Sequence, residues 1–188
     1  MKEIKTKRLI LRTWTKEDMV PFAKMNADPK VMVCFPAPLT REESDAFYER
    51  IKEHFDKYGW GLWAVSVKKG PKFIGYIGLK HVLPSLPCAP AVEVGWRLIS
   101  EEWGKGYATE GAKASLEYGF NTINLVEIVT LTAKINTRSI NVMEKIGMHR
   151  DIKDDFEHPL LSAGDPLRSH VLYRLMRSQY HIQQASCE

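Results

Sequence analysis

The sequence predicts a mixed α/β domain of the α+β kind: a central, mostly antiparallel twisted sheet of about seven strands flanked by about four helices. Three observations predict it. Two helix patterns come first, a strand–turn–strand pattern follows, and the remainder alternates strand, helix, strand, helix, strand. With 188 residues, 44% of them apolar or aromatic, the chain can close one core without a metal or disulfide staple. Residues 1–177 read as one domain. Residues 178–188, largely polar, read as a C-terminal tail that frays or docks weakly.

The elements follow in order. Leu9–Trp14 is apolar and β-prone, a first strand. Thr15-Lys16-Glu17-Asp18 then offers a hydroxyl cap followed by acids, so a helix starts there and runs to about Asn26, stopping before Asp28-Pro29. Thr40-Arg41-Glu42-Glu43 is a capping box, and Phe47, Ile51 and Phe55 repeat every four residues behind it, which gives a second helix. Trp60–Val67 and Phe73–Leu79, joined through Lys69-Gly70-Pro71, form a hairpin. Pro84, Pro87 and Pro90 make the next stretch a loop, after which Ala91–Leu98 returns to strand chemistry. Tyr107–Phe120 is a helix, Val126–Leu131 a strand, and Arg138–Ile146 a helix ended by Gly147. His149–Lys153 and Val171–Leu175 complete the strands.

Composition excludes several classes. Charged residues at 27% and a mixed pattern rule out a disordered chain or a rod. No apolar run approaches the ~20 residues of a membrane span, and the first residues lack the apolar core of a secretory signal. A cytoplasmic protein, without membrane contact, is the expectation. The net charge of +4 is too small and too dispersed to argue for nucleic acid. Cys34, Cys88 and Cys187 are odd in number and widely spaced, as reduced thiols are, and no Cys/His spacing suits zinc, so no metal is expected. A monomer and a homodimer both fit.

The segment that carries chemistry is Trp96–Glu110. A strand stops, a short loop follows, and Gly104-Lys105-Gly106 leads into a helix. Glycines allow close backbone approach, and the free amides of a helix's first turn favour an anion. Together they form a cradle for a pyrophosphate. A P-loop is excluded because Gly104-Lys105 is followed by Gly106-Tyr107, without the hydroxyl. A dinucleotide fingerprint fails at Thr109 and on its place in the chain, although Glu127 stands where a ribose acid would.

The run Trp103-Gly104-Lys105-Gly106-Tyr107-Ala108, after Val94-Gly95-Trp96-Arg97-Leu98, resembles the acetyl-CoA loop of the GNAT superfamily of N-acetyltransferases, [Q/R]-x-x-G-x-[G/A]. Asn136–Met148 resembles the second signature, N-x-x-[S/A]…E-K-x-G-F. Thr6–Arg12 and Asp28–Val31 are similar to the RimJ/RimL-like, ribosomal-protein-alanine acetyltransferase branch. The chain departs from the pattern at Trp103, in the position of Gln or Arg, and at Met148, in that of Phe. The tyrosine that protonates the leaving thiolate in many members falls at Met143, which cannot donate a proton.

The resemblance implies acetyl transfer from acetyl-CoA, a cosubstrate, to a primary amine by direct attack on the thioester. The pyrophosphate is expected on the amides of Gly104, Lys105, Gly106, Tyr107, Ala108 and Thr109, and the pantetheine arm on the backbone of Trp96, Arg97 and Leu98. Asn136 matches the family's cofactor-binding asparagine. The acceptor is a protein N-terminal residue, as the branch suggests, or a small-molecule amine; a non-catalytic acyl-CoA-binding module is the alternative that Met143 raises. An amine of pKa ~10 needs a base. Glu93, an acid in an apolar strand, and His81, which titrates near neutrality, are the candidates. Ser139 is the nearest hydroxyl for an acid, or else a helix cap. Trp60, Trp63, Phe35 and Phe47 either wall an acceptor pocket or fill the core, and the proline-rich loop from Val82 to Pro90 either borders that pocket or merely connects.

Overall fold

The structure is a computed structural model, and it describes residues 3–185. Cys187 and the end of the expected tail lie outside the described residues. The described residues fall into two compact units. The first holds residues up to Lys80 together with Gly95–Ser115; the second holds His81–Val94 and everything from Leu116 onward. One strand, β5 (Val92–Leu98), and one helix, α4 (Tyr107–Asn121), run through both.

In the first unit, β1 (Ile4–Lys5), β2 (Leu9–Arg12), β3 (Leu62–Val67) and β4 (Gly75–His81) lie in order, and the C-terminal half of β5 follows them in the sheet. The β1–β2, β2–β3 and β3–β4 pairings are antiparallel, with Leu9 opposite Val67 and Trp63 opposite Ile77. Leu9, Leu11, Val65, Ile77 and Leu79 are fully buried, and most of β3 and β4 is buried on both faces. Helices α1 (Met19–Ala27), α2 (Pro29–Met32) and α3 (Arg41–Tyr58) belong to this unit. Helix α3 starts as expected: Thr40 Oγ1 accepts from the Glu43 amide while Glu43 accepts from the Thr40 amide. A 3-10 turn at Lys16–Asp18 precedes α1, because Asp18 reaches back to the Thr15 amide and also pairs with Arg12. Trp14, Phe22 and Tyr48 meet edge to face, with Trp14 and Phe22 centroids 4.9 Å apart.

In the second unit, the N-terminal half of β5 pairs parallel with β6 (Glu127–Ala133), Glu93 opposite Val129. Strand β6 pairs antiparallel with β9 (Ser169–Met176), on which β7 (His149–Arg150) and β8 (Phe156–Glu157) also lie. Helix α5 (Thr137–Lys145) follows β6. The fold class is therefore as expected, mixed α/β with a mostly antiparallel sheet.

Three expectations need correction. The strand expected over His149–Lys153 ends at Arg150, because Asp151 accepts from the Lys153 amide and turns the chain into a 3-10 helix. Segment Val82–Pro90 is no mere connector: Val82 and Leu86 pack with Val129 and Leu172 in the core of the second unit. The expected tail forms helix α6 (Arg177–Ala185), with Tyr180 buried 5.0 Å from Phe120 and Gln183 Nε2 donating to the Gly147 carbonyl.

Candidate active site

The expected cofactor loop lies wholly in the first unit. Strand β5 ends at Leu98, a 3-10 turn spans Ser100–Glu102, and Gly104 and Gly106 take φ of +75° and +79° before α4 begins. Those angles lie in the left-handed region that only glycine enters freely. A Cβ added at Gly104 would meet nothing within 4 Å, and one at Gly106 only Arg8 Nη2 at 3.4 Å. The space above both glycines is therefore open, and a side chain would project into it. The first intrahelical bond in α4 runs from the Glu110 amide to the Gly106 carbonyl. The amides of Tyr107, Ala108 and Thr109 thus have no partner in their own helix, as the first turn requires. The loop fits a pyrophosphate. Gly111 serves packing instead, since a Cβ there would sit 2.4 Å from Ile77 Cδ1, and its absence lets α4 lie close on the sheet.

The loop is braced by residues that sequence reasoning passed over. Glu110 accepts from Thr6 Oγ1 at 2.6 Å, from the Arg8 amide at 2.8 Å and from Arg8 Nε at 2.6 Å. Arg8 Nη1 reaches the Lys105 carbonyl at 2.9 Å, and its guanidinium lies over the Tyr107 ring. Burial works to raise the Glu110 pKa, but these hydrogen bonds outweigh it and hold the carboxyl below its ordinary value. Trp103 donates from its indole to the Leu98 carbonyl at 2.8 Å, which ties the loop to the end of β5. One lone pair of that carbonyl is therefore already used. Lys105 Nζ pairs with Glu102 at 3.0 Å.

Further back on β5, Arg97 is buried and donates from Nη1 to Asn26 Oδ1 at 2.7 Å. Of the four aromatics considered for an acceptor pocket, Trp60 and Trp63 are core residues. Phe35 instead lines a cleft of about 280 Å³ with Met32, Pro36–Leu39, Glu43 and Arg97. Phe47 lies within 5.8 Å of the Arg97 guanidinium.

In the second unit, Glu93 is 8% exposed, and its charge is felt by Cys88 and His170. Burial pushes the Cys88 thiol up, and the Glu93 carboxylate adds to that. Burial lowers the His170 pKa against the opposing pull of Glu157 and Glu93. His81 is exposed at the C-terminal end of β4. Asn136 caps α5: its Oδ1 accepts from the Ser139 amide at 3.3 Å, while Nδ2 donates to Thr132 Oγ1 and Ser139 Oγ. The cap is thus Asn136, and Ser139 is not one. Met143 is 1% exposed, a core side chain with no access to solvent chemistry. Among the described residues, no three His, Cys, Asp or Glu side chains gather as metal ligands would, and no helix is long and apolar enough to cross a membrane.

The acetyltransferase (GNAT) domain family matches residues 8–149, a span with residues of both units. An uncharacterised N-acetyltransferase of Bacillus subtilis, YnaD, is 33% identical over 180 residues, covering 95% of this chain and 99% of its own. A GNAT-family acetyltransferase structure from Bacillus anthracis superposes with a TM-score of 0.77 at 26% identity, covering 94% of this chain and 99% of that one. A structure of RimL, a ribosomal L7/L12 α-N-protein acetyltransferase in complex with coenzyme A, shares the fold with a TM-score of 0.76 at 13% identity, covering 95% of this chain and 99% of that one. The chain belongs to the GNAT acetyltransferase family and is an acetyl-CoA-dependent N-acetyltransferase.

Proposed function

We propose that this enzyme acetylates the primary amine of a small molecule by direct attack of the amine on the thioester. The observation that carries the reading is the open, braced cradle at Gly104–Thr109. When bound, acetyl-CoA supplies an activated acyl carbonyl. The chain's own groups do the rest. The amides of Gly104, Lys105, Gly106, Tyr107, Ala108 and Thr109 hold the diphosphate, with the helix dipole of α4 behind them. The backbone of Trp96, Arg97 and Leu98 orients the pantetheine arm, Leu98 with a carbonyl already shared with Trp103. Backbone N–H groups of that strand end stabilise the negative charge that develops on the carbonyl oxygen.

The amine arrives mostly protonated, so a base must act. Glu93 fills that role in this reading, its support being a carboxylate buried in the strand that carries Arg97. His81 is the second candidate, since its exposed imidazole offers a basic nitrogen at the end of β4. Asn136 serves the cofactor in this reading, as the family motif suggests, and Ser139, hydrogen-bonded to Asn136, is the hydroxyl available to the leaving thiolate. A thiol leaves tolerably without an acid, which is why a core methionine at position 143 does not bar turnover.

The cleft of about 280 Å³ beside Arg97, walled mostly by apolar side chains, favours a small acceptor over a folded protein's N-terminus. Residues 1–177 act as one catalytic domain in this reading, supported by a family match that reaches into both units. Thiol release from acetyl-CoA, measured against small amines, polyamines and N-terminal peptides, tests the proposal. Turnover of small amines is expected. Turnover of peptides alone overturns the acceptor assignment, and tight acetyl-CoA binding without turnover on any amine overturns the catalytic reading.

A further inference from the structure

The first unit buries a cation that no carboxylate among the described residues pairs with. Arg97 is 8% exposed. Its guanidinium lies 4.0 Å from the Phe35 ring centroid, 5.6 Å from that of Tyr76 and 5.8 Å from that of Phe47. Aromatic faces attract a cation but accept no hydrogen bond of ordinary strength. Nη1 has its one acceptor in Asn26 Oδ1, an uncharged amide that is itself fully buried and held by Ser44 Oγ. The Arg97 Nε is enclosed and has no acceptor among the described residues, and no carboxylate among them lies within ion-pair distance.

The contrast with Arg12 is direct. That arginine is more exposed, yet the fold gives it both oxygens of Asp18, at 2.6 and 2.8 Å. A buried charge is costly unless paired, so an unmatched guanidinium points to a partner that arrives from outside. The opening is there. Arg97 lines the cleft of about 280 Å³, whose other walls are Met32, Phe35, Pro38 and Leu39. The acid at its rim, Glu43, accepts from the Thr40 amide at 2.8 Å as part of the α3 cap.

We propose that Arg97 determines specificity: the acceptor is an amine that also bears a carboxylate on an otherwise apolar body. The carboxylate meets the guanidinium, and the apolar body lies against Met32, Phe35, Pro38 and Leu39. This deepens the acetyl-transfer reading above and rests on it. A polyamine would bring a second cation to a buried one, which the same site rejects.

The test uses leucine, methionine and phenylalanine, each compared with its carboxamide and with the amine lacking the carboxyl group. Thiol release should show kcat/KM at least tenfold higher for the carboxylate in each set. Asn26→Asp places an internal carboxylate where Arg97 now finds an amide oxygen, and should erase the preference without lowering the melting temperature. Arg97→Gln should erase it too, and the Asn26 variant keeps the test decisive if that protein does not fold. Equal turnover of the carboxamides, or a preference that survives Asn26→Asp, overturns the assignment. Thiol release with polyamines or peptides only would overturn it while leaving acetyl transfer standing. The absence of thiol release with every amine would strike the acetyl-transfer reading itself.

Discussion

Arg8 and Glu110 stand 102 positions apart in the chain, yet Arg8 Nε donates to Glu110 Oε2 at 2.6 Å. The pair ties the segment before β2 to the first turn of α4, and Arg8 also holds the Lys105 carbonyl inside the glycine loop. Glu110→Gln should cost about 1 kcal/mol of stability at neutral pH, the modest figure for a charge-assisted pair with one half-exposed partner. Urea unfolding measures it. The carboxyl is held below its ordinary value, so this stabilisation is present above the usual glutamate pKa and is lost only as pH falls beneath it. The gap between the Gln variant and the parent should therefore persist to pH 5 and close in more acidic solution, and a gap that widens with acid would contradict the ion pair.

Gly106 has φ of +79° and faces open space. Gly106→Val puts a β-branched side chain into a backbone region it disfavours and into the phosphate cradle. Acetyl-CoA affinity, read by calorimetry, should fall at least tenfold. Unchanged affinity would remove the loop from the cofactor site.

Glu93→Gln keeps the shape of a buried side chain and removes the base. In the proposed mechanism, kcat should drop by about a hundredfold or more while the acetyl-CoA Kd stays within a few fold. The acidic limb of the pH–rate profile should also change. Parental kcat in this variant would transfer the role to His81 or to the substrate.

Asn136→Ala removes the α5 cap and its bonds to Thr132 and Ser139. A loss of about 1 kcal/mol is the expected cost of such a cap. Ser139→Ala should cost less, since the Ser139 amide keeps its acceptor in Asn136. Thermal melts of the two variants decide the order, and a larger loss for Ser139→Ala would reverse the assignment of the cap.

What the sequence announced was local. The Thr40–Glu43 box and the Gly104–Gly106 entry to α4 are each written within a few residues, and both stand where expected. What it concealed was long-range. Nothing near Arg97 names Asn26 as its partner 71 positions away, and nothing near Glu110 names Arg8. Trp103 looked like a plain departure from a motif, because its hydrogen bond to the Leu98 carbonyl exists only once the loop has turned back on the strand. Helix α6 is hidden in the sequence because its stretch is polar overall, and its docking rests on a few contacts, Tyr180 against Phe120 and Gln183 on Gly147, made with residues distant in the chain.

The indole of Trp103, the guanidinium of Arg8 and the carboxylate of Glu110 all hold the glycine loop in place before any ligand arrives. A loop fixed during folding has little disorder left to surrender on binding, so the entropic cost of forming the cofactor site falls on the folding of the first unit. Weakening the short N-terminal segment that carries Thr6 and Arg8 would then loosen the enzyme's hold on its cosubstrate at temperatures where the remainder of the chain is still fully native.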